Sequence, residues 1–350
     1  MLNDALAIQA NEVAGLAQSH AAATEALRQL HPEVLNALQA AGLPRSIHPD
    51  GPRSPYGSIE NFVKVCITLA EGCMSTGWCN FVWGMHNYLV ALYPEAAQQS
   101  VWGEAPSTLV SASLQPAGTL DMKSGHGELS GYWRFNSGCD HADWLLLGAM
   151  VQDAEPVLAM VPKTDIEIVD TWQVLGLSGT GSKDARCENL RIPQEYMLPA
   201  SQCLGPYTGL LVLVIAGPIV GGARAAVHWL HDAIEQGLRT GDLSLSRLAE
   251  ASAKLEAATQ LLLADARHLD TNPTPGPQQT LEILRNSSYV AKACNETTHL
   301  IFNAAGGTEL HDSKPLQRIF RDVTAGCAHG AMRWDQRALD WARFSTQSKG

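Results

Sequence analysis

The sequence has few charged residues, and basic residues are fewer than acidic ones. Charged residues make up 17% of its 350 residues, and the formal net charge is −11 at pH 7. A protein that binds nucleic acid or an anionic membrane surface needs a basic face. We therefore expect neither as a partner. A hydrophobic content of 45% instead favours a large buried core and argues against disorder.

A signal peptide and a paired-cysteine motif are also missing. The N-terminal stretch MLNDALAIQANEVAG has neither the basic start nor the apolar core of a signal peptide. None of the eight cysteines forms a CxxC pair. These observations predict a cytoplasmic protein whose thiols are reduced and free.

Common catalytic motifs are absent as well, since the chain has no HExxH and no GxSxG. The densest run of reactive side chains is SGYWRFNSGCDHADW, which contains Cys139, Asp140, His141 and Asp143. These are metal-ligand types, but neighbours on a strand point to opposite faces, so we predict no metal site. Ser137 lies near His141, yet a serine hydrolase would also need an oxyanion site and a placed acid.

One apolar run raises the question of a membrane span. The chain carries no charge from Leu204 to Ala223, and Pro218 lies within this run. Gly217 and Gly221 form a GxxxG spacing, which permits close helix packing. A single such run in a globular chain favours a buried helix of a tightly packed bundle over a membrane span.

The hydrophobic period divides the chain into three parts. Helical spacing dominates 1–106, short β-rich runs broken by Gly, Pro and Asp fill 107–205, and helical spacing returns over 206–350. The last part holds four long segments, near 208–237, 245–270, 276–304 and 314–344. We predict a mainly α protein with a central β-domain: an N-terminal helical domain, a small antiparallel β-barrel or sandwich, and a C-terminal four-helix bundle.

The glycine-rich stretch GLSGTGSKD superficially resembles a dinucleotide-binding loop, with Gly176, Gly179 and Gly181. A Rossmann loop must lead from a strand into a helix. Here the strand-like ARCENLRIP follows instead. The loop is therefore predicted to join two strands, where its backbone N–H groups could still approach a flat or anionic ligand.

Four segments occur in a characteristic order: WRFNSGCDHADW, GLSGTGSKD, FNAAGGTEL and PLQRIFRD. With helices, β-domain and bundle in this order, nearly the whole chain resembles the acyl-CoA dehydrogenase-like flavoprotein superfamily. The closer resemblance is to its two-component flavin-dependent monooxygenases, such as hydroxyphenylacetate hydroxylase. These have a similar Trp-x-Phe-x-Ser-Gly-x-Asp-His-x-Asp-Trp segment and a similar Gly-Thr-Gly-Ser loop. The resemblance implies an acyl-CoA dehydrogenase-like fold.

The resemblance also implies a flavin pocket. It places Ser137 near flavin N5, the Thr180–Ser182 loop beside the flavin, Trp78 near its ring and His86 in the pocket. Without the resemblance, Trp78 and His86 would be interpreted as ordinary residues of an apolar helix. The full set of implied cofactor-binding residues is Trp78, Ser111, Ser113, Phe135, Asn136, Ser137, Gly138, Thr180, Gly181, Ser182, Gly306 and Gly307.

The stretch RIFRDVTAGCAHGAMRWDQ resembles the Arg-Asp helix of the superfamily. Many dehydrogenases have a catalytic glutamate after this pair, whereas this chain has Ala328, His329 and Gly330 and no acid before Asp335. The oxygenase branch has a histidine there. The resemblance implies that His329, expected on a helix, removes a proton from an aromatic substrate; a purely structural histidine is the alternative.

Taken together, the resemblance implies the oxygenase component of a monooxygenase that hydroxylates a phenol, an indole or a polycyclic substrate through a C4a-hydroperoxyflavin. Ser137 and His86 would assist His329 in catalysis. Reduced flavin, FADH2 or FMNH2, and O2 would be required. Because the chain shows no second nucleotide fold, a separate NAD(P)H:flavin reductase is expected as partner. A homotetramer is also implied, with Gly306 and Gly307 of one subunit near the flavin of its neighbour.

Three alternatives stay open on the same scaffold. The first is an acyl-CoA dehydrogenase-like flavin dehydrogenase, against which the missing glutamate speaks. The second is an oxygenase that acts on nitrogen or sulfur. The third is a flavin-binding protein without catalytic activity.

Overall fold

The chain runs from helices through one sheet to a second set of helices, and the computed structural model describes residues 4–45, 47, 58–103 and 107–347. The first helices in these ranges are α1 Asp4–Ser19, α2 Ala21–Leu27, α3 Pro32–Ala40, α4 Ile59–Gly72, α5 Met74–Val90 and α6 Glu95–Trp102. The strands are β1 Val110–Lys123, β2 His126–Asn136, β3 Trp144–Val151, β4 Val157–Pro162, β5 Glu167–Val169, β6 Lys183–Pro193 and β7 Met197–Pro199. The later helices are α7 Ala200–Cys203, α8 Thr208–Glu235, α9 Asp242–Thr271, α10 Pro277–Ala305, α11 Pro315–Cys327 and α12 Trp334–Gln347. The predicted fold class, mainly α with a central β region, is confirmed.

The strands form one sheet in the order β5-β6-β2-β1-β3-β4-β7. Neighbours are antiparallel except β1 and β3, which run parallel with Val110 opposite Trp144. The sheet is therefore mixed, and the expectation of purely antiparallel pairing is wrong at this ladder. The reason is that β2 returns along one edge of β1, and residues 137–143 then carry the chain past the start of β1 to its other edge. This crossing lies against α5, because Trp83 donates to the Gly138 carbonyl.

Two facing glycines make room in the sheet for a buried tryptophan. Gly118 on β1 pairs with Gly131 on β2, and Trp133 is fully buried. A Cβ at Gly118 would lie 2.2 Å from Cζ2 of Trp133, and a Cβ at Gly131 would lie 2.8 Å from the same atom. The indole N–H donates to the Gly148 carbonyl at 2.7 Å. Any side chain at either position would collide with the ring.

Helix α8 lies at the centre of the helical part, where it contacts α4, α5, α9, α10 and α11. A Cβ at Gly221 would lie 2.3 Å from the carbonyl oxygen of Ile67 on α4, so this glycine lets the two helices touch. By length and hydropathy α8 could cross a membrane, but 83% of its most apolar window is buried inside the protein. It packs as the core helix that the sequence predicts.

The segment predicted as one helix over 314–344 is two helices, α11 and α12, and His329 lies between them rather than on a helix. A 3-10 turn occupies Gly330–Met332. His329 Nδ1 accepts the N–H of Ala331 at 3.2 Å, a bond that a continuing helix would direct to the Cys327 carbonyl. The side chain thus ends the helix, and the described part of the predicted four-helix region contains five helices.

The domain division at 1–106, 107–205 and 206–350 stays a prediction. Helices α1 to α6 precede the strands, and α8 to α12 follow them. The boundary predicted after residue 106 falls at 104–106, which lies outside the described residues.

Two glycine-to-alanine substitutions of opposite effect test the packing around Trp133. Gly118→Ala should lower the free energy of unfolding by about 1–3 kcal/mol, because the sheet must open to admit the methyl group. Gly15→Ala is the matched control, since Gly15 is exposed within α1 and has nothing within 4 Å of its Cβ position. It should raise stability by about 0.5–1 kcal/mol. Urea unfolding midpoints measure both, and equal stabilities of the two variants would contradict this packing.

Candidate active site

Helix α5 forms the inner wall of the site, and every residue along it is buried. Its Gly77 packs against α4, where a Cβ would lie 2.5 Å from the Cβ of Ala70. This close approach fixes the face of α5 that carries Trp78, Trp83 and His86. The positions of these three side chains are therefore fixed by packing between α5 and α4 inside the protein.

Two loops meet at the end of this wall. The Gly138 N–H donates to the Thr180 carbonyl at 2.8 Å, and the Cys139 thiol donates to the Gly181 carbonyl at 3.4 Å. Gly138 has φ +71° and Gly181 has φ +52°, a backbone region that favours glycine. A Cβ at Gly138 would lie 2.5 Å from Nε1 of Trp83. Both predicted glycines thus let the loops pack closely together.

The reactive side chains that follow Ser137 point to separate partners. Asp140 pairs with Lys183 at 2.8 Å, and Asp143 accepts the Leu109 N–H at 3.1 Å. His141 packs edge-on against Trp83, and burial lowers its pKa. These groups fasten the loop to its surroundings and do not converge on one point.

Hydroxyl groups from both loops form a continuous hydrogen-bonded chain. The Trp78 indole N–H donates to Ser137 Oγ at 3.4 Å. Ser137 Oγ lies 2.7 Å from Ser182 Oγ, which lies 2.7 Å from Thr180 Oγ1. Thr180 Oγ1 donates to the Leu177 carbonyl at 2.7 Å. Four residues that the sequence marked as flavin-binding are thus brought together in one chain.

The end of this chain at Leu177 is firmly held. Leu177 has φ +57°, and its N–H donates to the carboxylate of Asp322 at 2.6 Å. Burial raises the pKa of Asp322 to about 6. The Trp172 indole also donates to the Leu177 carbonyl, at 3.1 Å. A Cβ at Gly176 would lie 2.2 Å from the Arg321 carbonyl oxygen, so loop and α11 are in direct contact.

Leu177, Trp172 and Asp322 were missed as site residues by the sequence analysis. Asp322 belongs to the quoted segment PLQRIFRD, which marked the region without assigning a role to the aspartate. Leu177 contributes only backbone groups to the hydrogen bonds described, so its side chain gives no signal of this role.

Several residues that the resemblance assigns to cofactor binding donate hydrogen bonds to the backbone of the site, and their contact with the cofactor stays a prediction. Ser111 Oγ donates to the Ser137 carbonyl at 2.8 Å, and Ser113 Oγ donates to the Arg134 carbonyl at 3.0 Å. The Asn136 amide donates to the Trp133 carbonyl at 2.9 Å. These side chains position the loop.

Phe135 lies at the outer edge of the same loop. It has φ +64° and is 56% exposed. The guanidinium of Arg134 lies 4.8 Å from its ring centroid, and Trp172 packs edge-on at 6.0 Å. An exposed aromatic side chain in this strained conformation is available to contact a bound molecule.

The two predicted histidines differ in the nitrogen that carries the proton. His86 Nδ1 lies 3.1 Å from the Val110 carbonyl oxygen. Because a carbonyl only accepts, this nitrogen is protonated and Nε2 has a lone pair. His329 Nδ1 accepts the Ala331 N–H, so the neutral ring carries its proton on Nε2. Burial lowers the pKa of His86 to about 4.

His329 faces the same region as the hydroxyl chain. Its ring centroid lies 6.0 Å from that of Trp78. The Trp78 ring also packs close to Gly326, where a Cβ would lie 3.3 Å from the indole. The absence of a side chain at Gly326 leaves room for the indole beside the end of α11.

Gly306 and Gly307 lie elsewhere, at the C-terminal end of α10, and both are exposed. The neighbouring residues Thr308 and Glu309 line a cleft together with Trp229, Arg239 and Lys314. The single chain therefore does not join this glycine pair to the hydroxyl chain.

Comparison with known proteins identifies relatives across almost the whole chain. A model of the family described as "Acyl-CoA dehydrogenase, C-terminal domain" matches residues 213–334. The chain is 30% identical to the "Flavin-dependent monooxygenase, oxygenase subunit HsaA" of Mycobacterium tuberculosis, covering 90% of this chain and 88% of that protein. It is 28% identical to the "FADH(2)-dependent resorcinol hydroxylase, oxygenase component" of a Rhizobium species, covering 92% of this chain and 89% of that protein.

Solved structures agree with this grouping. The crystal structure of 3-HSA hydroxylase from Rhodococcus sp. RHA1 matches with a TM-score of 0.92 and 26% identity, covering 98% of this chain and 97% of that chain. Sequence identity and fold point to the same group of enzymes. The chain belongs to the oxygenase subunits of the flavin-dependent monooxygenases, which have an acyl-CoA dehydrogenase-like fold and use reduced flavin and O2.

Proposed function

We propose that the protein hydroxylates an electron-rich aromatic ring as the oxygenase component of a two-component monooxygenase. In the overall reaction an aromatic C–H becomes C–OH, and one oxygen of O2 enters the product while the other forms water. Reduced flavin gives two electrons and two protons and ends oxidised. A phenol-like substrate is supported by the relative named as a resorcinol hydroxylase. The words "oxygenase subunit" and "oxygenase component" in the relatives' names imply a separate reductase.

One observation carries the proposal: Ser137 Oγ ends a buried hydroxyl chain beside the Trp78 ring. A flavin ring system is flat, with apolar faces and polar edges. An indole and a row of hydroxyls offer the matching surfaces, so these residues fit the group. Trp78 and Ser137 would hold it, with Thr180 and Ser182 bonded behind Ser137. When bound, reduced flavin reacts with O2 and supplies the oxygen atom that is transferred.

The surroundings of the site keep water away from the reaction. Trp78 and Phe81 are 6% and 7% exposed, and their rings pack edge-to-face at 5.1 Å. Met74, which is on the same helix α5 as these two residues, packs against Gly222 on α8 and Gly326 on α11. Because water promotes loss of the activated oxygen as H2O2, this apolar wall favours hydroxylation.

The two proposed catalytic histidines differ in the hydrogen bond that Nε2 of each can form. His86 presents a lone pair on Nε2, and its low pKa keeps it neutral near pH 7. His329 presents an N–H on Nε2 while Ala331 occupies Nδ1. We propose that His86 accepts from the substrate and His329 donates to it. The base role expected for His329 stays a prediction. To accept a proton on Nδ1, the ring would first have to lose its hydrogen bond from the Ala331 N–H.

The assembly is proposed to be a cytoplasmic homotetramer. Exposed Gly306 and Gly307 lie next to a cleft lined by Arg239 and Lys314. The two cations could bind the phosphate groups of a flavin held by a neighbouring subunit, in a cleft that also contains the carboxylates of Asp232 and Glu309. Bare backbone at the glycines would permit the close approach that such sharing needs.

Ser137→Ala tests the contact with flavin. Loss of one hydrogen bond, worth about 1–3 kcal/mol, should raise the ratio of H2O2 released to substrate hydroxylated roughly tenfold or more. Ser130→Ala is the matched control on strand β2, which leads to Ser137, since the Ser130 hydroxyl binds the Asn189 N–H outside the described site. Peroxide assay and product chromatography give the ratio. A wild-type ratio in Ser137→Ala would remove Ser137 from the flavin site.

A pair of substitutions at His329 separates donation from base catalysis. Glutamine places an amide N–H near the position of Nε2 but cannot take up a proton at neutral pH. If His329 donates, His329→Gln should keep hydroxylation within about tenfold of wild type, whereas His329→Ala should lose roughly 10²-fold or more. Single-turnover product yields measure both. Equal, severe losses in the two variants would support the base role instead.

The low pKa of His86 predicts a pH dependence of stability. The folded state holds His86 neutral to about pH 4, while an unfolded histidine titrates at about 6.5. This contribution to stability is therefore present above about pH 6.5 and is lost as the pH falls toward 4, by about 3 kcal/mol at most. His86→Asn, which keeps a donor toward Val110, should show a smaller loss of unfolding free energy over this range. Parallel curves for the two proteins would contradict the shift.

A further inference from the structure

The hydroxyl chain behind Ser137 can point in only one direction. The Leu177 carbonyl oxygen cannot donate, so the single hydroxyl proton of Thr180 is donated to it. Thr180 must then accept from Ser182, and Ser182 must accept from Ser137. The Trp78 N–H enters the chain at Ser137 Oγ. Every proton in the chain therefore points from Trp78 toward Leu177.

This direction leaves Ser137 with a free lone pair but no free proton. A hydroxyl has one donor and two acceptor positions. The proton of Ser137 is donated to Ser182, and one lone pair accepts the Trp78 indole. Thr180 and Ser182 are each 2% exposed, whereas Ser137 is only half-buried. A molecule that reaches the open end of the chain therefore meets an acceptor.

The two redox states of a flavin differ at the atom that would face this acceptor. N5 of a reduced flavin carries hydrogen and donates, whereas N5 of an oxidised flavin presents only a lone pair. An acceptor near N5 would form a hydrogen bond with the reduced state and would repel the oxidised state.

We propose that Thr180 and Ser182 are positioning residues that hold Ser137 as an acceptor and so make the site prefer reduced over oxidised flavin. The inference rests on the proposed function, which places Ser137 against the flavin, and on the family resemblance, which implies that Ser137 lies near N5. The Leu177 carbonyl anchors the direction, because Trp172 and Asp322 hold that residue in place. The carbonyl can only accept, so reversal of the chain would leave Thr180 without a proton for it and would break the Thr180–Leu177 hydrogen bond.

Three variants test the role of the chain. Ser182→Ala leaves the Ser137 proton free to turn toward N5. Thr180→Val removes the anchoring hydroxyl at nearly constant volume, so that the proton of Ser182 can reverse and free that of Ser137. Thr180→Ser keeps the hydroxyl and is the matched control. Melting temperatures show whether each variant is folded.

The measured quantity is the ratio of two dissociation constants, Kd for oxidised over Kd for reduced flavin. The flavin used for all variants is FAD or FMN, whichever the wild-type protein binds more tightly. Fluorescence quenching gives the first constant, and anaerobic titration gives the second. We expect the ratio to fall about tenfold in Ser182→Ala and Thr180→Val and to stay at the wild-type value in Thr180→Ser. A tenfold change corresponds to about 30 mV in the two-electron potential of the bound flavin, which spectroelectrochemistry measures independently.

The outcomes separate this inference from the proposed function. If both hydroxyl-deleted variants are folded and keep the wild-type ratio, the positioning role is overturned while the proposed function stands. If Ser137→Ala changes neither constant, Ser137 does not face the flavin and the positioning role falls with that assignment, whereas the proposed function is overturned only if no aromatic compound is hydroxylated. If Thr180→Val does not fold, the ratio of the two dissociation constants in Ser182→Ala alone tests the positioning role.

Discussion

The site depends on one buried contact, the hydrogen bond from the Leu177 N–H to the Asp322 carboxylate. It ties the loop between two strands to a helix of the C-terminal part. Burial of this carboxylate is unfavourable enough to raise its pKa to about 6, so the backbone N–H is its essential compensation. Through it the Leu177 carbonyl is held where Thr180 can donate to it, and the direction of every hydroxyl up to Ser137 follows from that point.

Local sequence patterns predict much of this structure. The change of hydrophobic period marks the order of helices, strands and helices, because burial of one face imposes that period on each element. The glycine-rich stretch around Gly179 was correctly predicted to leave one strand region and enter another, since an alternating segment follows it. Motif resemblance identified Trp78, Ser137, Thr180 and Ser182, which the structure brings into one hydrogen-bonded chain.

Contacts between distant parts of the chain could not be predicted in the same way. The parallel pairing of β1 with β3 depends on where residues 137–143 cross, and strand patterns do not encode direction. The helix break at His329 arises when its side chain captures the Ala331 N–H, which a periodicity argument does not detect. The hydroxyls of Ser111 and Ser113 bind backbone carbonyls, contacts that the sequence did not predict, while their binding of cofactor stays a prediction. Which backbone carbonyl each of these hydroxyls binds depends on how the loop packs.

The central claim is that the protein transfers oxygen from O2 to an aromatic ring by means of reduced flavin. The most direct measurement supplies reduced flavin under isotopically labelled ¹⁸O2 to the protein with a panel of phenols and indoles, followed by mass spectrometry. The account predicts that at least one compound gains a single ¹⁸O atom, and that no label enters from H2¹⁸O. If the protein leaves the rate of flavin oxidation unchanged and no compound gains label from O2, the account is contradicted.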